Sequence, residues 1–378
     1  MLHDASCRYG ASKSAQLLIS NLRGFEIDVA IPKQLLSFKR MGKEKKFFKF
    51  DSEVSIRKKF NNNINNIYSI MMIFDWWCNI VSEQVYKKKN IYSFLENILS
   101  KVDFIFLKII VCFRKYDLIH LNSTISHFYS RLSSTIPISM HVREGIIPNP
   151  NREFIHSLKL LAGTVSIDNA IARSIPTKIS SMSETVLNPF DMKFVENSKE
   201  IDLGFLCRDF IIISYVGRLD KVKGFDFVID SFQKCKNQNL KLIIFGSGRQ
   251  DAIEYVQEVT SMNKNIHFAD FVDDVKLIYK SSDYVVRGED HLALGRTVYE
   301  AVLSQTPIIV PVKNENLSDD FIEYKKHKSL IYRYEARNCN SLSEVFDSLH
   351  KKKSKTAKGQ SNIDEHVSRV KTFWESLL

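Results

Sequence analysis

From Tyr116 onward, short β-branched runs alternate with longer stretches of helical pattern, and this alternation most restricts what the chain can fold into. Strand–helix–strand alternation is the mark of βαβ units, which bury their strands in a parallel sheet. The pattern predicts strands at Asp117–Leu121, Ile136–His141, Gly163–Ile167 and Glu184–Leu187. After a polar segment around Glu196–Asp202 it predicts a second series at Phe210–Val216, Leu240–Phe245, Ile266–Phe268, Tyr284–Val286 and Pro307–Val310. Helices are predicted over Phe225–Lys236, Arg249–Met262, Val275–Ser281 and Thr297–Ser304. A last amphipathic helix, Ile363–Leu378, carries Val367, Val370, Phe373 and Leu377 at helical spacing. The fold class is therefore α/β, with two Rossmann-like domains whose ligands bind at the carboxyl ends of the strands.

A length of 378 residues with 44% hydrophobic content supports two cores of ordinary size. The net charge of +11 favours an anionic partner: nucleic acid, a phosphorylated small molecule or an anionic membrane. Cys7, Cys78, Cys112, Cys207, Cys235 and Cys339 form no CxxC pair, which speaks against a zinc site or a disulfide framework and suits a reducing cytosol. The start carries no apolar signal-peptide core. The most apolar stretch, Phe104–Phe113, is too short to span a bilayer and contains Lys108, so the chain reads as soluble or peripheral. The run Phe38–Phe50 (Lys39, Arg40, Lys43, Lys45, Lys46 and Lys49, interleaved with Phe47 and Phe48) has three readings: a solvated loop, a membrane-surface contact or a nucleic-acid patch. Nucleic acid comes last, because no RNA- or DNA-binding module is recognisable. No His/Cys/Asp cluster has metal-ligand spacing, so no metal is expected.

Three segments carry chemistry. In Tyr215-Val-Gly-Arg-Leu-Asp-Lys-Val-Lys-Gly224, a buried strand ends at Gly217, and Arg218 and Lys223 follow on the loop. Two cations at the carboxyl end of a parallel strand can grip a diphosphate, one as a planar fork and one as a point charge. The competing reading is a solvated basic loop. In Arg287-Gly-Glu-Asp-His-Leu-Ala-Leu-Gly-Arg-Thr-Val-Tyr-Glu300, a helix opens near Gly295, where a phosphate could approach free N–H groups. Glu300, about one and a half turns in, could accept from both hydroxyls of a ribose, or could be a surface glutamate. In Leu242-Ile-Ile-Phe-Gly-Ser-Gly-Arg249, Gly246 and Gly248 turn a strand into a helix, but no third glycine completes a dinucleotide fingerprint.

In chain order the three segments, the last continuing as Glu300-Ala-Val-Leu-Ser-Gln-Thr-Pro-Ile-Ile-Val310, resemble the carboxyl-terminal half of GT-B glycosyltransferases of family 4, also called group 1. The amino-terminal half is similar more loosely. Arg8-Tyr-Gly-Ala-Ser-Lys-Ser-Ala15 looks like the family's first glycine loop, at Gly10 and Ala11, although only five residues precede Ser6 where the family has an apolar first strand. Tyr116-Asp-Leu-Ile-His-Leu-Asn122 and Ile138-Ser-Met-His-Val-Arg-Glu144 resemble two of its strands, the second ending in a histidine, here His141. Val186-Leu-Asn-Pro-Phe-Asp191 looks like the segment that enters the interdomain linker.

The resemblance implies two Rossmann-like domains facing across a cleft. Residues 1–190 would be the acceptor-side domain, 191–355 the nucleotide-sugar domain, and 356–378 a helix returning toward the first. It assigns the donor diphosphate to Arg218, Lys223, Gly295, Arg296 and Thr297, the ribose to Glu300, and a catalytic contact with the transferred sugar to His141. His120, inside a strand, is read as structural. The family's other glutamate is replaced by Leu292, with Glu289, Asp290 and His291 just before it as substitute contacts to the donor sugar. The implied function is metal-independent, retaining transfer of a hexose from a nucleotide-sugar to a hydroxyl of a growing, lipid-linked surface glycan. The nucleotide-sugar is a co-substrate and no cofactor is expected. The implied place is the cytoplasm, peripheral on the inner face of the plasma membrane. The alternative is a catalytically inactive GT-B scaffold or partner subunit.

Overall fold

Apolar runs such as Phe210–Ile213 and Leu242–Phe245 end in strands that are buried on both faces, as expected for a parallel sheet covered by helices. The computed structural model describes residues 10–32, 61, 63–70, 91–146, 150, 152–176, 182–193, 210–272, 274–289, 295–312, 327–351 and 359–378. The chain divides into two compact units, residues 1–189 with 363–378, and residues 190–362. Among the described residues no helix is long and apolar enough to cross a membrane.

The first unit begins with α1 (Gly10–Asn21), β1 (Asp28–Pro32), β2 (Asn66–Ile70) and α2 (Ile91–Arg114). Next come β3 (Ile119–Leu121), a 3-10 turn over Thr124–Arg131, β4 (Ile138–Val142), α3 (Arg152–Lys159), β5 (Gly163–Ser166), α4 (Asn169–Ser174) and β6 (Met182–Thr185). Strands β3-β4-β5-β6 form a four-stranded parallel sheet, and β1 pairs with β2 in a separate parallel pair. The final helix α10 (Ile363–Glu375) belongs to this unit and packs Val370, Phe373 and Trp374 with Leu18, Leu22, Val165 and Val186. It ends at Glu375, three residues short of the end of the helix predicted to run to Leu378. The chain before Tyr116, which precedes the predicted alternation, contributes β1, β2 and the long helix α2 as well as α1.

The second unit contains β7 (Ile211–Val216), α5 (Phe225–Gln233), β8 (Leu240–Phe245), α6 (Gln250–Met262), β9 (Ile266–Asp270), α7 (Val275–Ser281) and β10 (Tyr284–Val286). It continues with α8 (Arg296–Leu303), β11 (Ile308–Val312), β12 (Ile331–Glu335) and α9 (Cys339–Asp347). The strand order is β12-β11-β10-β7-β8-β9, all parallel. The order reverses between β7 and β10, and the crevice beyond such a switch point is where open α/β sheets bind ligands. Ile213, Leu242, Ile244, Val286 and Ile309 fill the core beneath it. The segments entering and leaving this unit pair with each other: Met192 N–H donates to the Gln360 carbonyl at 2.8 Å and Asn362 N–H to that of Phe190 at 3.1 Å.

Glycines bring the loops above the switch point to backbone contact. A methyl group built on Gly246 would lie 1.8 Å from the Gly217 carbonyl oxygen, and one on Gly224, where φ is +67°, would lie 2.6 Å from Gly288. Gly246 and Gly248, the incomplete dinucleotide fingerprint, thus serve close approach of β8's turn to the loop after β7. Neither contact leaves room for a side chain. Gly246→Ala should lower the stability of the second unit by about 1–3 kcal/mol, read as a lower urea midpoint at unchanged slope. An unchanged midpoint would contradict this packing.

Candidate functional site

The loop after β7 is built around Asp220. Its carboxylate caps the short turn Lys221–Lys223 by accepting from Val222 N–H at 3.0 Å, and its other oxygen holds Arg218 Nη2 at 2.9 Å. From below, the buried Tyr215 hydroxyl donates to the Arg218 carbonyl at 3.0 Å and lies 3.4 Å from that of Lys223. Burial, with the Glu289 charge adding to it, pushes the Tyr215 phenol well above its ordinary pKa, so it stays a donor. Backbone and side chain together therefore fix where Arg218 and Lys223 leave the chain.

Lys223 meets the loop after β10, where its ammonium pairs with Glu289, whose other oxygen is 3.4 Å from Arg287 Nε. Gly295 adjoins the same carboxylate, since a methyl group built there would sit 3.3 Å from Glu289 Oε1. Lys223, Glu289 and Gly295 are thus brought together. Arg287, which sequence reasoning passed over, joins them from within the quoted segment. The carboxylate of Glu289, read as a substitute contact to the donor sugar, is engaged with two cations here. Asp290, His291 and Leu292 lie outside the described residues.

Helix α8 opens at Gly295 without a side-chain cap. At that end the aligned peptide dipoles favour an anion. Thr297 lies in the first turn, and its carbonyl is 3.3 Å from the Tyr279 hydroxyl. One turn in, Glu300 is buried and accepts from Tyr279 Oη at 3.0 Å and from Arg296 Nη2 at 3.2 Å. Arg296 also lies over the Phe190 ring at 4.3 Å, and Phe190 stacks on Tyr299. A carboxylate oxygen has two acceptor sites, so each oxygen of Glu300 can still take a further hydroxyl.

In the first unit, His141 ends in a buried cluster with His120 and His366. His120 Nδ1 is 2.8 Å from Ser139 Oγ, and its Nε2 is 2.7 Å from His141 Nδ1. His120, read as a strand residue of structural use, is therefore the direct partner of His141. That leaves His141 Nε2, which has no hydrogen-bond partner among the described residues. Beside it, the buried Arg143 bonds the Asn122 carbonyl and Oδ1, each at 2.8 Å, and Asn188 Oδ1. Asn122 in turn donates to the Ala11 carbonyl at 3.0 Å, which ties Gly10 and Ala11 at the start of α1 to this network. Asn122, Arg143 and Asn188 all stand in the segments quoted above, but spacing gives no sign that they meet. Among the described residues no cluster of His, Cys, Asp and Glu could hold a metal ion.

Burial, reinforced by the Arg143 charge, holds the pKa values of His120 and His141 well below the ordinary range. His366 is lowered to about 3, chiefly by burial. A carbonyl can only accept, so His366 Nδ1 carries the proton that it donates to Leu187, and its Nε2 lone pair is buried without a partner among the described residues.

A doubly wound parallel sheet with cations on the loops at its switch point is a Rossmann-like α/β domain, the kind whose ligands bind at the carboxyl ends of the strands. Residues 206–363 match the family model described as Glycosyl transferases group 1, and glycosyl transfer is the activity class this match supports. Over 285 residues, 66% of this chain and 67% of the other, the protein is 26% identical to one from Methanocaldococcus jannaschii described as an uncharacterized glycosyltransferase. Its fold is similar to that of HepE from Anabaena, crystallised with UDP and glucose, at a TM-score of 0.65 and 13% identity over 99% of this chain and 98% of that one. Sucrose-phosphate synthase from Thermosynechococcus elongatus is similar at a TM-score of 0.63 and 14% identity, covering 98% and 91%. The fold is thus that of the GT-B glycosyltransferases.

The buried histidines set a pH dependence. An unfolded histidine titrates near pH 6.5, whereas these three stay neutral in the fold to lower pH. Below about pH 6.5 the unfolded chain therefore binds protons that the folded one does not, and stability falls. Each histidine contributes up to about 1.4 kcal/mol per pH unit. Above that range they contribute no slope. Melting temperatures should hold level from pH 8 to 7 and fall between pH 6.5 and 5, with a shallower fall in His366→Gln. A melting temperature that is level down to pH 5 would contradict the neutral cluster.

Proposed function

We propose that the protein is a retaining, metal-independent hexosyltransferase of family 4, moving a hexose from a nucleotide-sugar to a hydroxyl of a growing, lipid-linked glycan. The observation that carries this reading is the convergence of Arg218, Lys223 and the uncapped start of α8 at the switch point, with Glu300 one turn inside the helix. Fixed positive groups aimed at the leaving diphosphate stabilise the charge that develops as the glycosidic bond breaks, and such groups usually supply the largest single term in catalysis. Glu300 would accept from the ribose hydroxyls. His141, neutral and with Nδ1 committed to His120, would offer Nε2 to a hydroxyl of the transferred sugar. Gly10 and Ala11 would lie on the acceptor side. The UDP and glucose held by HepE make UDP-glucose the first donor to test.

The competing reading is an inactive scaffold. It is favoured by Leu292, which stands where the family has a glutamate, and by the pairing of Glu289 with Lys223. The basic run Phe38–Phe50, read as a solvated loop, a membrane-surface contact or a nucleic-acid patch, lies outside the described residues.

A thermal-shift panel of UDP-, GDP- and ADP-sugars should give stabilisation by one nucleotide, because a ligand that binds the native state raises the melting temperature. Arg218→Ala and Lys223→Ala should each weaken that donor by about 1.5–3 kcal/mol, the worth of a charge-assisted bond. Glu300→Gln should weaken the free nucleoside diphosphate as well. Unchanged affinity in all three folded variants would remove the donor-site assignment.

His141→Ala should lower turnover far more than donor affinity, the pattern of a contact made in the transition state. Donor binding with no transfer or hydrolysis in the wild type would favour the scaffold.

A further inference from the structure

Helix α2 has two apolar faces. On one, Leu107 belongs to the core formed with Leu121, Tyr129, Ile138, Met140 and Leu158, against which Phe104 and Ile110 also pack. On the other, Val102, Ile105, Phe106, Ile109 and Phe113 face solvent, with Ile105 58%, Ile109 51% and Phe113 83% exposed. At about 100° per residue these five fall within a sector of roughly 100°, one continuous stripe along the helix. Soluble surfaces rarely carry a continuous apolar stripe without a partner for it.

The charges around the stripe select the partner. Lys101 and Lys108 are exposed along one margin, and Arg114 and Lys115 are exposed at its carboxyl end. From Lys101 to Lys115 the sequence contains one acidic residue, Asp103, against the four cations Lys101, Lys108, Arg114 and Lys115. An apolar protein partner or a second copy of this chain would cover the stripe without needing a cationic margin. A bilayer with anionic headgroups meets both features, because acyl chains receive the apolar side chains while headgroups pair with the lysines and arginine.

We propose that α2 docks the first unit on an anionic lipid surface, lying in the plane of the membrane. Ile105, Phe106, Ile109 and Phe113 enter the acyl boundary, and Lys101, Lys108, Arg114 and Lys115 remain among the headgroups. The proposal does not depend on the assignment of the donor residues in the second unit. The surface also differs from the run Lys39–Lys49.

The test is flotation of the full-length protein with vesicles of phosphatidylcholine containing phosphatidylglycerol, and with pure phosphatidylcholine, at low and high salt. The wild type should float with the anionic vesicles and be released as salt screens the lysines. The triple variant Ile105→Glu, Ile109→Glu, Phe113→Glu should bind at least about tenfold more weakly, because inserting charge reverses the preference of the stripe for the acyl layer. Its melting temperature should be unchanged, since all three side chains are exposed. The milder pair Lys101→Gln, Lys108→Gln should weaken anionic binding and flatten its salt dependence. No flotation of the wild type, or equal flotation of the triple variant, would overturn the proposal. So would loss of binding in a variant with Lys43, Lys45, Lys46 and Lys49 changed to Glu while the triple variant still floats. A concentration-dependent dimer in sedimentation that the triple variant abolishes, without vesicle binding, would assign the stripe to a second copy instead.

Discussion

The close approach of backbones at Gly217 and Gly246, and at Gly224 and Gly288, is the constraint on which the second unit's chemistry rests. Parallel strands end on one edge of the sheet, but their following loops would splay if every residue carried a β-carbon. Removing it at these positions lets three loops stack within van der Waals distance above the switch point. Arg218 and Lys223 are then held by Asp220, Tyr215 and Glu289. Four charged side chains (Arg218, Lys223, Arg287 and Arg296) would repel in the absence of Asp220, Glu289 and Glu300. Each cation has an acidic neighbour here, so the cluster is stable without a ligand, and a diphosphate would compete with carboxylates for positions already set.

The first unit uses a different device, neutral histidines in place of paired charges. Arg143 is buried and bonds the carbonyl and Oδ1 of Asn122 and the Oδ1 of Asn188. Burial keeps His120, His141 and His366 uncharged, and the Arg143 cation adds to this by raising the cost of a second positive charge nearby. Those bonds join the segments at Ala11, Asn122, Arg143 and Asn188, so the start of α1 and the ends of β3, β4 and β6 are fixed relative to one another within this unit.

What the sequence makes legible follows from burial. Strands β7, β8 and β10 are buried on both faces, so apolar runs such as Leu242–Phe245 announce them. Strand β12 lies at the sheet edge, where Ile331-Tyr-Arg-Tyr-Glu335 mixes charge with aromatics and gives no such run. Helix α2 stayed hidden because apolar residues on two faces erase the period by which amphipathic helices are found. In the site, Arg218, Lys223 and Glu300 could be singled out by spacing within short segments. The bonds from Tyr279 to Glu300 and from Arg143 to Asn188 could not, because those pairs lie 21 and 45 positions apart and meet only in the folded chain.

The central claim is that the switch point of the second unit is a nucleoside diphosphate site. A crystal structure of the protein soaked with UDP tests it most directly. The account predicts the two phosphates against Arg218, Lys223 and the N–H groups at the start of α8, with both ribose hydroxyls donating to Glu300. UDP bound elsewhere, or an unoccupied switch point with Lys223 still on Glu289 at saturating UDP, would contradict it.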